Sequence, residues 1–177
     1  LSAYGEWTKK SGYYTVSPGG KPAPLVYDDA QIGQAQKAEK ADRVIFTRQT
    51  FSQFPDYWAT TTSFASPSRV TDANPFIDEY RWGKRLLVDF KNGKGQRLQG
   101  TLTLPANYEP GKKYPMLVYF YEILSNTHHA FPMPVYDDRP HFAEYASDGY
   151  LVFEPDIVYE IGKPGSSALD CVTSGVK

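Results

Sequence analysis

Apolar residues recur at every second position in the stretch that begins at residue 86. Leu86, Val88 and Phe90 are separated by single residues, and leucines continue the alternation between residues 98 and 104. The polar break at residues 92–95 contains an asparagine and two glycines, which favour a tight turn. Period-two patterning on both sides of a turn predicts an antiparallel β-hairpin with one apolar face.

Two continuous apolar runs follow, at residues 114–121 and 150–153. Runs of this kind predict strands that are buried on both faces. Between them, residues 139–149 have the pattern of a short helix, with Pro140 in its first turn and Gly149 as its C-terminal cap. A strand, a helix and a second buried strand predict a right-handed parallel crossover.

Residues 1–78 have a different rhythm, in which short apolar segments are separated by proline- and glycine-containing turns. Strands are predicted at residues 12–16, 25–27, 43–47 and 57–62, with turns at residues 17–20 and 55–56. Residues 30–38 follow two aspartates and end near a lysine, which predicts a short helix. Several short strands with regular turns are typical of a sandwich, a barrel or a propeller.

The composition supports a globular chain. Its 177 residues are 41% hydrophobic and 15% aromatic, a share that suits packing on β-sheets. The formal net charge of −1 gives no basic footprint for nucleic acid. Cys171 is the single cysteine, so a disulfide framework is excluded and the compartment cannot be inferred. No apolar run approaches the length needed to span a membrane.

The order and spacing of several segments carry a resemblance to a known family. They are residues 86–90, 98–102, 104–108, 112–119, 149–153, 155–156 and 162–165, with a looser likeness at 54–57 and 70–75. Residues 79–177 resemble the start of the catalytic domain of the prolyl oligopeptidase family of serine peptidases. The likeness is to its dipeptidyl-peptidase-like and acylaminoacyl-peptidase-like members.

The resemblance implies a fold and a domain order. Residues 79–177 would form the N-terminal part of an α/β-hydrolase domain, and the fold class would be α/β preceded by β-propeller-type antiparallel strands. Residues 1–78 would be the C-terminal part of the propeller and the linker. Such peptidases cleave peptide bonds in oligopeptides with a Ser-His-Asp triad, whose serine lies on a Gly-x-Ser-x-Gly turn.

The sequence contains no Gly-x-Ser-x-Gly. In the family that turn follows the helix predicted here to begin at Ser167, so the resemblance places all three triad residues beyond residue 177. We therefore expect the chain by itself to be inactive. One catalytic group remains, because Tyr121 matches the family's tyrosine donor of the oxyanion hole. The residues after it, 122–125, depart from the small-residue turn that is usual in the family.

Other candidate groups have simpler explanations. His128, His129, His141 and the aspartates at 137–138 lie in one loop and contain metal-ligand types. Adjacent histidines are not a usual spacing for one metal, so a polar surface loop is the favoured interpretation and neither a metal nor a cofactor is predicted.

Two further residues are predicted to be structural. Asp156 is interpreted as a structural residue that holds the turn at residues 158–165, rather than as the triad acid. Cys171 lies on the apolar stripe of the last predicted helix and is interpreted as a small core residue.

Three functions stay open from the sequence. They are a serine peptidase acting on peptide substrates, a non-catalytic binding fragment, and an esterase-type α/β-hydrolase. The predicted partner of residues 79–177 is the remainder of the hydrolase domain. Without it, buried strands would expose their edges and apolar faces, so self-association is expected. Cleavage preference and localisation are not readable from the sequence.

Overall fold

The computed structural model describes residues 1–136 and 139–177, which divide into two compact units. The first unit contains Leu1–Tyr80 together with His129–Phe131. The second contains Arg81–His128 and Pro132–Lys177. Over these described residues the chain is mostly strands in several sheets, largely antiparallel, with few helices.

The first unit consists of two antiparallel sheets. One has three strands in the order β1-β2-β3, which are Ser2–Tyr4, Ser11–Thr15 and Ala23–Asp28. The other has the order β4-β6-β7-β8, with β5 also paired to β6. Its strands are β4 (Gln31–Ile32), β5 (Gln36–Lys37), β6 (Val44–Thr50), β7 (Gln53–Thr60) and β8 (Ser68–Arg69). A 3-10 turn follows at Pro75–Glu79.

The core of the first unit follows from alternation along β6. Val44 and Phe46 are buried while Ile45 between them is exposed, as expected for successive side chains on opposite faces of a strand. Phe46 and Phe64 lie with ring centroids 5.6 Å apart, and Tyr13 of β2 stacks on Phe64 at 5.5 Å. These rings join the two sheets of the unit into one core.

The helix predicted at residues 30–38 is wrong. The Ser11 hydroxyl donates to the carbonyl of Ala30 and accepts from the amide of Ile32, both at 2.8 Å. The Tyr13 hydroxyl donates to the Gly33 carbonyl at 3.0 Å and accepts from the Ala35 amide at 2.7 Å. Side chains of β2 therefore satisfy this backbone, which forms the short strands β4 and β5 instead.

The turn predicted at residues 55–56 is also wrong, because both residues lie inside β7. The turn that joins β6 to β7 is at Phe51 and Ser52. Asp56 is buried, and its Oδ1 accepts from the Thr71 hydroxyl at 2.7 Å and from the Ala73 amide at 2.9 Å. Its carboxylate thus organises the loop after β8.

The second unit contains a four-stranded mixed sheet in the order β11-β12-β10-β9. The strands are β9 (Lys84–Lys91), β10 (Arg97–Leu104), β11 (Met116–Val118) and β12 (Leu151–Pro155). The predicted hairpin is confirmed as β9 and β10, in antiparallel register from Arg97–Lys91 to Leu104–Lys84. β12 is antiparallel to β10 and parallel to β11. Two helices, α1 (Phe142–Ser147) and α2 (Pro164–Val176), and a 3-10 turn at Ser125–Thr127 complete the unit.

The helices pack on opposite faces of this sheet. Gly175 of α2 lies against the rings of Phe153 and Phe90, so α2 covers the face on which these rings lie. Cys171 of α2 is buried there with Leu98 and Ile157, which confirms its interpretation as a core residue. The other face meets α1, whose Phe142 ring lies 5.1 Å from that of Tyr119.

The strand predicted at residues 114–121 is shorter and less buried than expected. Only Met116–Val118 is in the ladder, and Phe120 is 48% exposed. Among the described residues β11 pairs only with β12, so one side of the strand has no neighbouring strand. Both helices begin at other residues than predicted: α1 begins at Phe142 rather than at residue 139, and α2 begins at Pro164 rather than at Ser167. Gly149 has the predicted cap conformation, with φ +86°.

Candidate functional site

The candidate site lies where β11 and β12 end. Both strands run in the same direction, so their carboxyl ends meet at one edge of the sheet. In open α/β sheets, ligands bind at this edge because the following loops converge there. The segments concerned are residues 119–127, after β11, and residues 156–160, after β12.

Asp156, the first residue after β12, holds the loop that follows β11. Its Oδ1 accepts hydrogen bonds from the amides of Leu124 and Ser125, both at 2.8 Å, and its Oδ2 accepts from the Ser125 hydroxyl at 2.5 Å. Asp156 and Ser125 are both buried. Asp156 has a structural role, but the predicted target is wrong, because its carboxylate binds residues 32 and 31 positions earlier in the chain rather than the turn at residues 158–165.

Further hydrogen bonds hold the same loop. The Tyr119 amide donates to the Phe153 carbonyl at 3.0 Å, and the Ile157 amide donates to the Glu122 carbonyl at 2.9 Å. The Tyr159 hydroxyl donates to the Tyr121 carbonyl. The backbone from 119 to 125 is therefore attached to β12 and to the segment after it at several points.

Tyr121 lies in the middle of this loop with its side chain 67% exposed. Its carbonyl is engaged by Tyr159, so the backbone is held while the phenol faces solvent. A phenol in this arrangement can donate a hydrogen bond to a ligand oxygen. The assignment of Tyr121 to an oxyanion hole stays a prediction.

Ser125 and Asp156 resemble two members of a serine-nucleophile site only in composition. The Ser125 side chain is fully buried and its hydroxyl donates to the carboxylate. A nucleophilic serine must instead present its oxygen to the substrate and transfer its proton to a base. The pair therefore has a structural role.

A buried ion pair lies beside this loop, and sequence reasoning missed it. Arg85 of β9 pairs with Glu154 of β12, and their side chains are only 8% and 4% exposed. The same guanidinium donates from Nη1 to the carbonyl of Thr127 at 3.0 Å. Burial raises the pKa of Glu154, Arg85 opposes that shift, and the nearby charge of Asp156 adds to it.

The sequence does indicate that both charged residues face the core. Glu154 interrupts an otherwise apolar strand, and Arg85 precedes Leu87 by two positions, on the same face of β9. Charged residues at inward positions are rarely buried unless they are paired. The sequence pattern does not show that the two residues pair with each other, however, because they are 69 positions apart in the chain.

The histidine-rich loop supplies no metal site among the described residues. Within residues 1–136 and 139–177, no group of three or more His, Cys, Asp or Glu side chains could hold a metal ion. The aspartates at 137–138 lie outside the described residues. The His141 Nε2 is 3.2 Å from the carbonyl of Pro132. In the described part of the chain, no helix has the length and apolar character needed to cross a membrane.

Among known proteins, this chain matches solved structures by fold. No family model matches the chain, and no curated protein matches it. The AtxE2 isopeptidase, as its S527A variant with bound Astexin3-dC4, superposes on 90% of this chain with a TM-score of 0.70 at 18% identity. An acylaminoacyl peptidase in complex with Z-Gly-Gly-Phe-chloromethyl ketone covers 94% with a TM-score of 0.67 at 15% identity. Porphyromonas gingivalis dipeptidyl peptidase 4 covers 84% with a TM-score of 0.58 at 18% identity.

This chain has the fold of a segment of these peptidases. The solved structures that it resembles are members of the prolyl oligopeptidase, acylaminoacyl peptidase and dipeptidyl peptidase IV group, so the predicted resemblance is confirmed at the level of fold. The match spans 24%, 26% and 22% of the three neighbouring chains, or about a quarter of their length.

Proposed function

We propose that this chain is part of a serine peptidase that hydrolyses peptide bonds in oligopeptides by a Ser-His-Asp mechanism, with the triad lying beyond residue 177. Residues 79–177 would be the N-terminal part of the α/β-hydrolase catalytic domain. Residues 1–78 would be the C-terminal part of a β-propeller and the linker. One observation supports the proposal above the rest: a parallel strand pair with helices on both faces presents Tyr121 at its carboxyl edge, in a chain with the fold of peptidases.

Tyr121 would act as an oxyanion donor. When a serine oxygen attacks a peptide carbonyl, negative charge develops on the carbonyl oxygen, and a donor already aimed at that oxygen lowers the barrier. A donor is effective when it does not need to reorganise during the reaction. The bonds from Tyr159 to the Tyr121 carbonyl and from Ile157 to the Glu122 carbonyl hold the backbone from which the phenol projects.

The test is Tyr121→Phe in the full-length protein, assayed with a chromogenic peptide. Loss of one oxyanion donor lowers kcat by about 10²- to 10³-fold. KM should change little, because the hydrogen bond forms fully only in the transition state. Tyr80→Phe is the matched control, since Tyr80 is an equally exposed tyrosine (68%) in the first unit. An unchanged kcat in Tyr121→Phe removes the assignment.

Peptide rather than ester hydrolysis is the proposed reaction. A pair of substrates that share one acyl group, an anilide and an ester, separates the two activities. We expect a catalytically competent full-length protein to cleave the anilide, and cleavage of the ester alone would favour an esterase. Absence of a Gly-x-Ser-x-Gly from the full-length sequence would instead favour a non-catalytic binding protein.

The proposed partner of the second unit is the remainder of the hydrolase domain. Several large apolar side chains of this unit are exposed, including Phe120, Ile161 and Leu169. Exposed apolar area of this kind marks an interaction surface or an aggregation liability. Sedimentation of the 177-residue chain should therefore show self-association, and a monodisperse monomer would contradict this proposal.

A further inference from the structure

The Arg85–Glu154 pair is buried on the face of the sheet that also contacts α1. Arg85 lies opposite Thr103 in the register of the hairpin, and Glu154 lies opposite Thr101. Both threonines are completely buried. The pair therefore reaches across β10, the strand between β9 and β12, over two buried threonines.

Burying two charges is unfavourable unless their mutual attraction and their hydrogen bonds offset the cost of removing them from water. Replacing a buried ion pair by apolar residues of similar size is often neutral or stabilising. Burial also raises the pKa of Glu154 despite its arginine partner, so desolvation outweighs the attraction between them. Stability alone is a weak explanation for this pair.

The second contact of the guanidinium, with the carbonyl of Thr127, suggests what the pair does. Arg85 Nη1 donates to the carbonyl of Thr127, which ends the 3-10 turn at Ser125–Thr127. Asp156 already holds the start of this turn through Leu124 and Ser125. Glu154 lies in β12 and Asp156 directly follows the strand. Glu154 holds the end of the turn through Arg85, while Asp156 holds its start directly.

We infer that Arg85 and Glu154 are positioning residues for the Tyr121 loop. Arg85 fixes the C-terminal end of the segment 119–127, so that the segment cannot pivot about its attachment to Asp156. Glu154 orients the guanidinium, because a carboxylate fixes the planar fork of an arginine in one direction. The inference rests on the proposed function, in which Tyr121 donates to the reacting oxygen.

The experiment uses the full-length protein and three variants of the pair. Arg85→Met removes the contacts with Glu154 and with the Thr127 carbonyl. Arg85→Lys keeps the positive charge but lacks the planar guanidinium. The double variant Arg85→Met/Glu154→Leu removes both charges, so that no unpaired buried charge prevents folding. Arg97→Met is the matched control, because Arg97 lies on the neighbouring strand and pairs with Asp89, but both side chains are about half exposed (50% and 54%).

Catalysis per folded site is the first readout, with sites counted by an irreversible serine-directed inhibitor. All three variants should lower kcat about 10- to 100-fold with little change in KM, since small misplacement of a catalytic group has effects of this size. Arg97→Met should match the wild type. In a Tyr121→Phe background, Arg85→Met should cause almost no further loss, because residues that act through one group are not additive.

Hydrogen exchange of residues 124–128 in the full-length protein is the second readout, and it does not depend on activity. Arg85→Met should accelerate exchange there at least 10-fold, while Arg97→Met should not. Unchanged exchange, or kcat losses that add fully to those of Tyr121→Phe, would overturn the positioning role. Faster exchange in a full-length protein without peptidase activity would leave the positioning of the loop intact and refute the proposed function instead.

Discussion

Asp156 offers the sharpest test of how the candidate site is held together. Asp156→Ala removes one buried carboxylate and, with it, the acceptor of three hydrogen bonds. Two of the three donors, the amide and the hydroxyl of Ser125, are buried and would be left without an acceptor. The third donor, the Leu124 amide, is only partly buried and can be reached by water.

The expected magnitude follows from these three bonds. Each buried donor left without its acceptor is worth about 1–3 kcal/mol, and a partly exposed donor contributes less. We therefore expect Asp156→Ala to destabilise the second unit by about 3–5 kcal/mol. Ser125→Ala removes one donor and leaves the carboxylate with both amides, so its cost should be close to 1 kcal/mol, on the order of one net hydrogen bond. Asp156→Asn keeps an acceptor oxygen for the amides and should fall between the two.

The assay must report on the second unit alone, since the chain contains two units. Exchange of the β10 and β12 amides, measured by mass spectrometry under conditions where exchange follows the opening equilibrium, gives that free energy. A loss of about 4 kcal/mol corresponds to roughly a 10³-fold rise in the exchange rate. Peptides from β6 and β7 of the first unit serve as the internal control. Equal effects of Asp156→Ala and Ser125→Ala would refute the view that the carboxylate holds the loop.

Three further predictions concern packing and pH. Gly100→Ala should destabilise the second unit by about 1–3 kcal/mol through overpacking, because an added Cβ would lie 2.6 Å from the Phe153 ring. Gly165→Ala is the control, since an added Cβ there meets open space and should not destabilise the unit. Urea denaturation of the two variants measures the difference. The arginine partner of Asp28 holds the pKa of that carboxyl below its ordinary 3.8, so the first unit should lose stability as pH falls from 3.8 through the lowered pKa. That slope should shrink in Asp28→Asn. The pKa of Glu154 is raised above its ordinary 4.5, so its folded state keeps a proton that the unfolded chain has lost, and the second unit should lose stability as pH rises from 4.5 through the raised pKa. Exchange-monitored stability of each unit against pH checks both signs, and slopes of the same sign in the two units would contradict them.

Local patterns were sufficient where neighbours in sequence are also neighbours in space. The alternation from residue 86 to 104 predicted β9 and β10, because the side-chain period and the turn residues specify a hairpin without distant contacts. The two apolar runs predicted the parallel pair β11 and β12 for a similar reason, since a short helix between them leaves few other arrangements.

Local patterns were insufficient where a distant side chain satisfied the backbone. Residues 30–38 have helix-like ends, yet the hydroxyls of Ser11 and Tyr13 bind this backbone and exclude the helix. The pattern of residue types in this segment does not show which side chains from distant positions will hydrogen-bond to its backbone. The lengths of β11 and α1 were wrong for the related reason that pairing partners, and not apolarity alone, decide where an element ends.

The sequence by itself determined the elements of the second unit, the family that it resembles, and one candidate donor, Tyr121. These depend on periodicity and on the order of short motifs, which are local properties of the chain. Only the tertiary structure decided how that donor is held. Asp156 binds residues 31 and 32 positions away, and Arg85 binds residues 42 and 69 positions away in the chain. Buried carboxylates find their partners through the packing of the sheet, so their roles become visible only when the strands are placed side by side.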